Sequence, residues 1–580
     1  RILPLPLRQQ KIMTAHGGKS GNPLPVDGQA AGRNRRFYDA IHWAAETFGE
    51  AEALVDRRTR LSFLELREKV RQFARTLLAL GVSPGDHVAL WAIPAIGAVL
   101  VPVNTRFRAQ DVRHMLKQSD ARALIVGSGT EGVDYLAILA RIAPGWFAKA
   151  NADNDPEFPL LKTVFAFGNE EFPLPANLPA SIVPGNRLAE LAAMIEESRL
   201  DEIIAAVSPD SVAQILYTSG ATSFPKGAML DHGQLLQNNF NTIARMRFTP
   251  ADRFLMSAPL FSATGTSYAL SILLSGAAMV LMGRFSPERF CRLVEEEGIT
   301  VAFFVDTIVK DLKAFPGRGR YDLSSLRTGT GVPLSPDSFA FATHELGVSG
   351  LIGMYGMSEV SNAATRGFCT DPHEIRASAN GRPVPGVEVR VVDVDTGKTL
   401  PEGEIGEIRI RGYTVTRGYY RQPEENARVF DAEGWFRTGD LGRFAGEHLV
   451  FCGRLKEMIK PGGFNVSTLE IETFLKECKG VREAAVVGVP DERLGEVAYA
   501  FIEPEPDASS LDAQHLLAFC RERIAAYKAP RHVKFITDWP RTGSQKIRKL
   551  ELKARTEARL MRSRNELPFQ TLNGALEPPA

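Results

Sequence analysis

The sequence has little cysteine and no run that could span a membrane. Its 580 residues include five cysteines, which lie far apart and form no CxxC pair. This spacing argues against a disulfide framework and a structural zinc site, and it indicates a reducing compartment. The most apolar run, Tyr268 to Met282, contains serine and glycine and is too short to cross a bilayer. With no signal-peptide pattern either, we expect a cytoplasmic protein without a transmembrane segment.

An excess of charge of either sign is also missing. The chain has 69 Lys and Arg residues against 68 Asp and Glu residues, for a net charge of about +1 at pH 7. No overall field therefore attracts nucleic acid or an anionic membrane. Apolar residues make up 44% and charged residues 24%, as in ordinary globular proteins. The oligomeric state is left open.

Helical and strand patterns alternate over the first two thirds of the chain. Ser62 and Glu65 form a capping box ahead of an apolar stripe that reaches Leu80, which predicts a helix. Short apolar strands and helices alternate from there to about residue 385, which is typical of largely parallel α/β sheets. From Val387 the strands alternate polar and apolar residues between Gly and Pro turns, which indicates a smaller antiparallel β unit.

These patterns predict an α/β protein with a large N-terminal domain, which ends in a small β unit, and a small α+β C-terminal domain. In the C-terminal domain we expect helices near 468–476 and 513–526 and strands near 484–489 and 497–502. The expected boundaries are a tail over 1–34, the N-terminal domain over 35–453, the C-terminal domain over 454–558 and a tail over 559–580.

The strongest chemical signal is a loop rich in hydroxyls and glycine that follows an apolar strand. It runs from Leu216 to Gly227 and contains Thr218, Ser219, Gly220, Thr222 and Lys226. Backbone N–H groups, hydroxyl donors and one ammonium suit a polyphosphate. The spacing is not that of a Walker A loop.

In that loop and in five further motifs the chain resembles the adenylate-forming family, which includes acyl-CoA synthetases, aryl-CoA ligases, luciferases and adenylation domains of peptide synthetases. The motifs occur in the family's order over roughly residues 37 to 557. Besides the loop they are Gly329-Thr330-Gly331-Val332-Pro333, Tyr355-Gly356-Met357-Ser358-Glu359, Trp435-Phe436-Arg437-Thr438-Gly439-Asp440, Gly453-Arg454-Leu455-Lys456-Glu457 and Pro540-Arg541-Thr542-Gly543-Ser544-Gln545-Lys546-Ile547.

The resemblance implies a role for each motif in binding ATP. The loop around Lys226 holds the phosphates, and Glu359 is the Mg²⁺ ligand, as a hard carboxylate oxygen would be. The other implied nucleotide contacts are the adenine turn with Gly331, the stacking ring of Tyr355, the α-phosphate contact of Ser358, the ribose contact of Asp440, and Arg454.

The resemblance also implies a reaction in two steps with ATP, Mg²⁺ and coenzyme A. A carboxylate attacks the α-phosphorus of ATP to give an acyl-adenylate and pyrophosphate, and a thiol then displaces AMP. Lys546, with Lys226 and Glu359, acts in the first step by positioning and charge neutralisation. The fold that the resemblance implies has two α/β sheet lobes and a small β unit in the large N-terminal domain, and a small mobile α+β C-terminal domain. That C-terminal lobe is expected to rotate between the steps about a hinge at Lys456, which brings Gly462 and Gly463 to the channel for coenzyme A.

The acid cannot be identified from the sequence, although the expected pocket is apolar or small. Its predicted residues are Phe261, Ser262, Phe303, Phe304, Asp306, Thr330 and Met354. This composition favours a hydrophobic or alicyclic acid. Ser262 stands where many family members have His, and Asp306 stands in place of a Pro. Either the two admit a bulkier acid with a hydroxyl or keto group near Asp306, or Asp306 points away and caps the next turn.

One departure from the family concerns the N-terminal domain. Only Ala92 to Gly97 separate the predicted strands His87–Trp91 and Ala98–Val103, where family members have a full helix. A parallel crossover usually needs a dozen or more residues. We therefore expect an uncovered apolar sheet face and a low soluble yield. One alternative function is therefore a nucleotide-binding pseudo-enzyme or destabilised variant that lacks the helix after Ala92. A separate alternative is an enzyme that transfers the adenylate to a carrier protein, although we expect no carrier domain after residue 560.

Overall fold

The computed structural model describes residues 32–566, apart from 91–96, 106, 108, 131–132, 148–154, 156, 171, 219–224, 332–333, 460, 462–465, 492–493, 507, 509–510, 525–527 and 542–545. The chain divides into two compact units. The large unit contains Arg1–Arg390, Arg409–Thr438 and Phe444–Val450. The small unit contains Val391–Ile408, Gly439–Arg443 and Phe451–Ala580.

Helices and strands alternate along the described chain. The helices are α1 Phe37–Phe48, α2 Phe63–Ala79, α3 Ala109–Gln118, α4 Tyr135–Ile142, α5 Leu188–Ala192, α6 Glu197–Ala206, α7 His232–Met246, α8 Ala263–Ser275, α9 Pro287–Glu297, α10 Asp306–Ala314, α11 Pro336–Ala340, α12 His373–Ser378, α13 Pro423–Val429, α14 Thr468–Lys476, α15 Ala513–Arg523 and α16 Lys549–Glu566.

The strands are β1 Glu52–Val55, β2 Arg60–Ser62, β3 His87–Leu90, β4 Val99–Pro102, β5 Ala123–Gly127, β6 Gly129–Thr130, β7 Val133–Asp134, β8 Thr163–Phe167, β9 Ile182–Pro184, β10 Val212–Thr218, β11 Lys226–Asp231, β12 Arg253–Met256, β13 Ala278–Leu281, β14 Val301–Phe304, β15 Thr328–Gly331, β16 Gly350–Tyr355, β17 Thr365–Arg366, β18 Arg382–Pro383, β19 Val387–Val392, β20 Gly406–Gly412, β21 Phe436–Ala445, β22 His448–Arg454, β23 Val481–Asp491, β24 Gly495–Pro504 and β25 His532–Phe535.

Helix α2 begins where the sequence predicts. The Ser62 side chain accepts a hydrogen bond from the Glu65 backbone N–H, and the Glu65 carboxylate accepts one from the Ser62 N–H. This reciprocal cap satisfies two donors that the first turn cannot pair internally. The predicted helix start is confirmed.

The large unit contains two sheets. One has seven strands in the order β11-β10-β4-β3-β5-β8-β9. All of its pairs are parallel except the hairpin of β10 and β11. The other has nine strands in the order β18-β17-β16-β15-β14-β12-β13-β1-β2 and is parallel between β16 and β1. The predicted pair of α/β sheets is confirmed.

Two faces of the nine-stranded sheet carry separate cores. We call one the α9 face: Phe290 and Val294 of α9 and Leu312 of α10 pack there against Phe304 and Leu351. We call the other the α8 face, where Tyr268 and Ile272 of α8 and Met246 of α7 pack against residues of β12, β14 and β16. Side chains alternate between the faces along each strand.

The short connection between β3 and β4 does not leave bare apolar strands. The two strands are parallel neighbours, with Val88 opposite Leu100. Residues of α2, α5 and α6 cover these two side chains, and Leu100 is only 8% exposed. The expected uncovered sheet face is therefore wrong for the described strand residues, because helices from elsewhere in the chain fill it. Six of the residues that connect the strands, 91–96, lie outside the described residues.

Smaller sheets complete the chain. Strands β19, β20, β21 and β22 form a four-stranded sheet in that order. In the small unit β23, β24 and β25 form a three-stranded sheet whose core includes Ile471 and Leu475 of α14 and Leu516 and Cys520 of α15. The predicted α+β character of this region is confirmed. Within the described ranges, every helix is too short or too polar to be a candidate membrane span.

Candidate active site

The predicted phosphate loop joins the two strands of the β10–β11 hairpin. Thr218 ends β10 and pairs with Lys226, which begins β11. The loop residues Ser219, Gly220 and Thr222 lie outside the described residues. The hairpin therefore presents a hydroxyl and an ammonium together at the two ends of the loop.

Lys226 lies in a compact charged group of the large unit. Its ammonium pairs with the carboxylate of Glu425 on α13, and both side chains are mostly buried. It also lies 5.3 Å from the centre of the Tyr419 ring, within the range of a cation–π interaction. Glu425 pairs in addition with Arg428, at 3.1 Å. The cation is thus balanced by protein charge, and it is close enough to the loop to exchange that partner for a phosphate.

Glu359 contacts the same hairpin. It lies in the single 3₁₀ turn Ser358–Val360 after β16 and is 9% exposed. Its Oε1 accepts hydrogen bonds from the Thr218 hydroxyl at 3.2 Å and from the Tyr419 hydroxyl at 2.9 Å. Burial, and then the adjacent Glu359 charge, raise the pKa of Tyr419, so that this hydroxyl keeps the proton it donates.

Tyr419 and its support were not predicted from the sequence. Asn426 of α13 accepts from the Tyr419 backbone N–H at 2.7 Å and donates to its carbonyl at 3.0 Å. Helix α13 therefore fixes the tyrosine through Asn426 and the lysine through Glu425. The only trace of this site in the sequence is a Gly418-Tyr419 pair ahead of a helix that begins with Pro. That pattern is too common to indicate a site.

A strained turn holds Glu359 in place. Ser361 and Asn362, directly after the 3₁₀ turn, have φ of 54° and 83°, in the left-handed region that L-residues rarely adopt. Helix α7 stabilises them: Gln234 donates to the Ser361 hydroxyl at 2.7 Å, and Asn238 donates to the Ser361 carbonyl at 2.7 Å. This explains why α7 buries polar side chains. Such strain persists only where neighbours enforce it, and it is often found at functional sites.

The adenine-binding residues predicted from the sequence lie at the ends of neighbouring strands. Gly331 ends β15 and Tyr355 ends β16, which pair in parallel. Ser358 follows in the 3₁₀ turn beside Glu359. The carboxyl ends of parallel strands are where ligands bind in open α/β sheets. Tyr355 is 5% exposed, so little of its ring faces solvent in this structure.

The residues predicted for the acid pocket divide between the two faces of the sheet. Phe303 is opposite Thr330 in register, and Met354 lies on the same face, the α8 face. Phe304 points to the α9 face, where it is fully buried against Phe290. Phe303, and not Phe304, is therefore the phenylalanine near Thr330.

Ser262 caps its own helix, whereas Asp306 hydrogen-bonds to a residue at the start of another helix. The Ser262 hydroxyl accepts from the Gly265 N–H at 3.1 Å and caps α8, while it donates to the Pro259 carbonyl at 2.7 Å. Asp306 accepts from the Ser335 N–H at 2.8 Å and from its hydroxyl at 3.1 Å. Asp306 is thus held at the start of α11, which is close in sequence to the predicted adenine turn, and its two alternative roles stay predictions. Phe261 is half-buried beside Ser262.

The predicted site residues of the small unit form their own cluster. Asp440 on β21 is 8% exposed, and its Oδ1 lies 3.7 Å from Nε of Arg454, at the end of β22. Lys546 is exposed as a residue. Its ammonium group is nevertheless partly removed from water, and this loss of hydration, followed by the charge of Arg454, lowers the pKa of Lys546. The single 3₁₀ turn Leu455–Glu457 contains the predicted hinge residue Lys456. Gly462 and Gly463 lie outside the described residues.

A carboxylate in this setting fits a magnesium ion that is held mainly by phosphate. Both described hydrogen bonds to the Glu359 side chain go to Oε1, which leaves Oε2 available as a hard oxygen ligand. Within the described part of the chain no group of three or more His, Cys, Asp or Glu residues could hold a metal ion. One carboxylate plus phosphate oxygens is the usual way in which proteins bind Mg²⁺ with a nucleotide.

Comparisons with known proteins agree with this geometry. The AMP-binding enzyme family matches residues 41–420, and the AMP-binding enzyme C-terminal domain matches residues 470–546. A relative from Rhodococcus jostii (strain RHA1), 3-[(3aS,4S,7aS)-7a-methyl-1,5-dioxo-octahydro-1H-inden-4-yl]propanoyl:CoA ligase, is 35% identical over 88% of this chain and 96% of its own. The mitochondrial medium-chain acyl-CoA ligase ACSF2 of Macaca fascicularis is 30% identical over 93% and 91%. Among solved structures, ATP-bound MatB of Rhodopseudomonas palustris has a TM-score of 0.73 at 26% identity and covers 90% of this chain and 99% of its own.

Proposed function

Because the chain belongs to the AMP-binding enzyme family, we propose that it joins a carboxylic acid to coenzyme A, with ATP as the activating substrate. It is an AMP-forming acid–thiol ligase. In the first step a carboxylate oxygen forms a bond to the α-phosphorus of ATP, and the bond to the leaving pyrophosphate breaks. In the second step the sulfur of coenzyme A bonds to the acyl carbon, AMP leaves with the bonding electron pair, and the thiol proton passes to solvent.

One observation supports this function most. Thr218 and Lys226 lie at the two ends of one loop, and Glu359 accepts a hydrogen bond from Thr218. A loop with these groups suits a polyphosphate, and negative charge increases there during the first step. Lys226 would exchange Glu425 for a phosphate oxygen and neutralise part of that charge. Glu359 would hold Mg²⁺, which would neutralise the pyrophosphate that leaves. The protein thus contributes positioning and charge rather than a covalent intermediate.

The small unit would supply the remaining groups. We propose that Asp440 accepts hydrogen bonds from the ribose hydroxyls and that Lys546 contacts the reacting carboxylate and the α-phosphate. Arg454, 3.7 Å from Asp440, would orient the Asp440 side chain. The resemblance further implies a rotation of the C-terminal domain, 454–558, about Lys456, with Gly462 and Gly463 next to the thiol in the second step.

The acid is proposed from its surroundings. Thr330, Met354 and Phe303 on the α8 face are small or apolar, which favours a hydrophobic or alicyclic acid. The names of the two relatives agree, since one names a propanoyl group attached to a bicyclic ring and the other names medium-chain acyl groups. A cytoplasmic location remains a prediction from the five unpaired cysteines and would be tested by cell fractionation.

The direct test measures pyrophosphate release from ATP and Mg²⁺ against a library of acids, followed by mass spectrometry of the thioester after coenzyme A is added. We expect release that depends on the acid and a thioester product. Release without a thioester would favour transfer to a carrier protein. No release with any acid would overturn the function and favour a pseudo-enzyme.

Two lysines of the small unit provide a matched test of the two steps. Lys546→Ala should lower adenylation by about 10²–10³, the scale for one charge-stabilising group, while supplied acyl-AMP is still converted to thioester. Lys549 pairs at 2.8 Å with both Glu457 and Glu472, so it braces the unit, and Lys549→Met should lower both steps together. Gly463→Leu should lower thioester formation and spare pyrophosphate release. Parallel losses for Lys546→Ala would contradict the proposed role.

A further inference from the structure

Arg366 is a fully buried arginine in an apolar core. It ends β17 and is 1% exposed. Strand β17 pairs antiparallel with β16, and Arg366 lies opposite Met354 in register. Paired residues of neighbouring strands point to the same face of a sheet. Arg366 therefore shares the α8 face with Met354, Thr330 and Phe303.

The hydrogen-bonding groups of Arg366 are mostly unused. Its Nη1 lies 3.5 Å from the Thr330 hydroxyl and 3.7 Å from the Met246 sulfur, which are long contacts. Its Nε and Nη2 make no hydrogen bond, and no carboxylate of the described residues pairs with it. The Tyr268 hydroxyl, which donates to Thr330, also interacts with the guanidinium of Arg366, so the partners of Arg366 are neutral groups.

Neighbouring arginines have partners that Arg366 lacks. Arg245 donates to the carbonyls of Arg366, Arg382 and Pro383, and Arg327, just before β15, donates to Asp252 at 2.7 Å. Arg253 and Arg382 also have a buried Nε without a hydrogen bond, but each pairs with a carboxylate, Glu52 at 2.7 Å and Asp371 at 2.6 Å. Among these described arginines, Arg366 therefore differs in that neither a carboxylate nor a close carbonyl balances its charge.

An unpaired charge in such a place is expensive. Arginine stays protonated in proteins, and a buried charge without a partner costs several kcal/mol. The two long contacts are too weak to offset that cost, so a role in bracing β17 does not explain the residue. A ligand oxygen that reaches the free N–H groups would explain it.

We propose that Arg366 binds an oxygen on the far part of the acid substrate. The substrate class is an acid with a mainly apolar body that carries, away from the carboxylate that reacts, a second oxygen acceptor: a ketone or a second carboxylate. Thr330, Met354 and Phe303 would contact the body, and Nε and Nη2 of Arg366 would donate to the oxygen. This rests on the proposed function and assigns its specificity to one side chain.

Matched acids test the proposal. The set contains cyclohexylpropanoic acid, its 4-oxo derivative and its 4-carboxy derivative, with kcat/KM from pyrophosphate release. We expect the wild type to prefer one oxygenated acid over the plain acid by at least tenfold. Arg366→Met should lower that ratio by about 100-fold and raise kcat/KM for the plain acid, since an unmatched buried donor penalises apolar ligands. Arg366→Lys should retain more of the preference for the carboxylate than for the ketone.

Arg327→Met is the control, because it removes a paired arginine of the same sheet. It should lower the melting temperature and leave the acid ratio unchanged, whereas Arg366→Met should leave the melting temperature as high or higher. Equal losses on all three acids together with a lower melting temperature for Arg366→Met would overturn the inference and assign Arg366 a structural role. A wild type that prefers plain acids would overturn it too, while a wild type without pyrophosphate release on any acid would instead remove the proposed function.

Discussion

The two faces of the nine-stranded sheet are both covered by helices, but their cores differ in chemistry. On the α9 face, Phe304, Phe290 and Leu351 belong to a core made of apolar groups and Cys291. On the α8 face, Thr330 and Arg366 lie among aromatic and aliphatic side chains. Burial of polar groups is costly unless they find partners. Under the proposal for Arg366, one face only stabilises the sheet, whereas the other combines packing with recognition of a ligand.

The largest expected effect separates the two adjacent phenylalanines of β14. Phe304→Ala should lower the free energy of unfolding by about 3–5 kcal/mol, because it empties a fully buried site, without changing the preference among acids. Phe303→Ala, at a half-buried position on the α8 face, should cost less stability and alter that preference. Urea unfolding and kcat/KM on a set of acids measure both. A larger change of preference for Phe304→Ala would break the comparison.

A second prediction concerns the carboxylates that border this sheet. Glu359→Gln should keep the hydrogen bonds from Thr218 and Tyr419 but lose the charge, and so lower pyrophosphate release roughly 10²–10³-fold and raise the Mg²⁺ concentration needed. Asp252→Asn, at a buried carboxylate that pairs with Arg327, should lower stability without changing the Mg²⁺ requirement. Titration of activity with Mg²⁺ distinguishes them. The same Mg²⁺ dependence in both variants would refute the role of Glu359.

The third prediction is that the free energy of unfolding depends on pH through His232, the first residue of helix α7. Burial lowers the pKa of His232 from 6.5 to about 4, and its Nδ1 accepts from the Phe37 N–H at 3.4 Å. Below pH 6.5 the unfolded chain therefore takes up a proton that the folded chain refuses. Stability should fall by about 3 kcal/mol between pH 6.5 and 4.

His232→Gln should flatten that acid limb, as measured by urea unfolding at several pH values. Cys291 on the α9 face provides the contrast, because burial raises the pKa of its thiol to about 11, so it stays neutral throughout this range. An acid limb of unchanged slope in His232→Gln would assign the loss of stability to other groups.

The smallest expected effect tests the hydrogen bond that Tyr419 donates to Glu359. Tyr419→Phe removes one hydrogen bond to a carboxylate and should weaken Mg²⁺-dependent activity about tenfold. Tyr413→Phe is the control, since the Tyr413 hydroxyl accepts from Asn241 at 2.6 Å and lies outside the predicted site. Only the first variant should shift the Mg²⁺ requirement. An equal shift in both would indicate a general loosening of the fold.

Local signals in the sequence predicted local structure well. The capping box of Ser62 and Glu65 predicts the start of α2, because both partners lie within one turn. The placement of Phe304 could not be predicted in the same way. Strand β14 reads Val-Ala-Phe-Phe and is buried on both faces, so no alternation of polar and apolar residues reveals which phenylalanine points to which side.

Contacts between segments that are distant in sequence could not be predicted either. The uncovered face expected at β3 and β4 is filled by α2, α5 and α6, whose positions depend on the whole fold. Likewise, the motifs predict Thr218, Lys226 and Glu359 as candidates, but not that Tyr419 and Glu425 would support them. Such contacts follow from tertiary packing, which periodicity and spacing do not encode.

Lys226 and the residues that support the site lie far apart in sequence, and this separation affects when they become available during synthesis. Lys226 precedes its partner Glu425 by 199 residues. At about 5–20 residues per second, the ribosome adds the glutamate about 10–40 s after the lysine. Until then the growing chain has the loop but neither the counter-charge of Lys226 nor the tyrosine that donates to Glu359. Under the proposed function, a nascent chain therefore cannot activate acids before helix α13 has been made, nor before Asp440 and Lys546, which the ribosome adds later still.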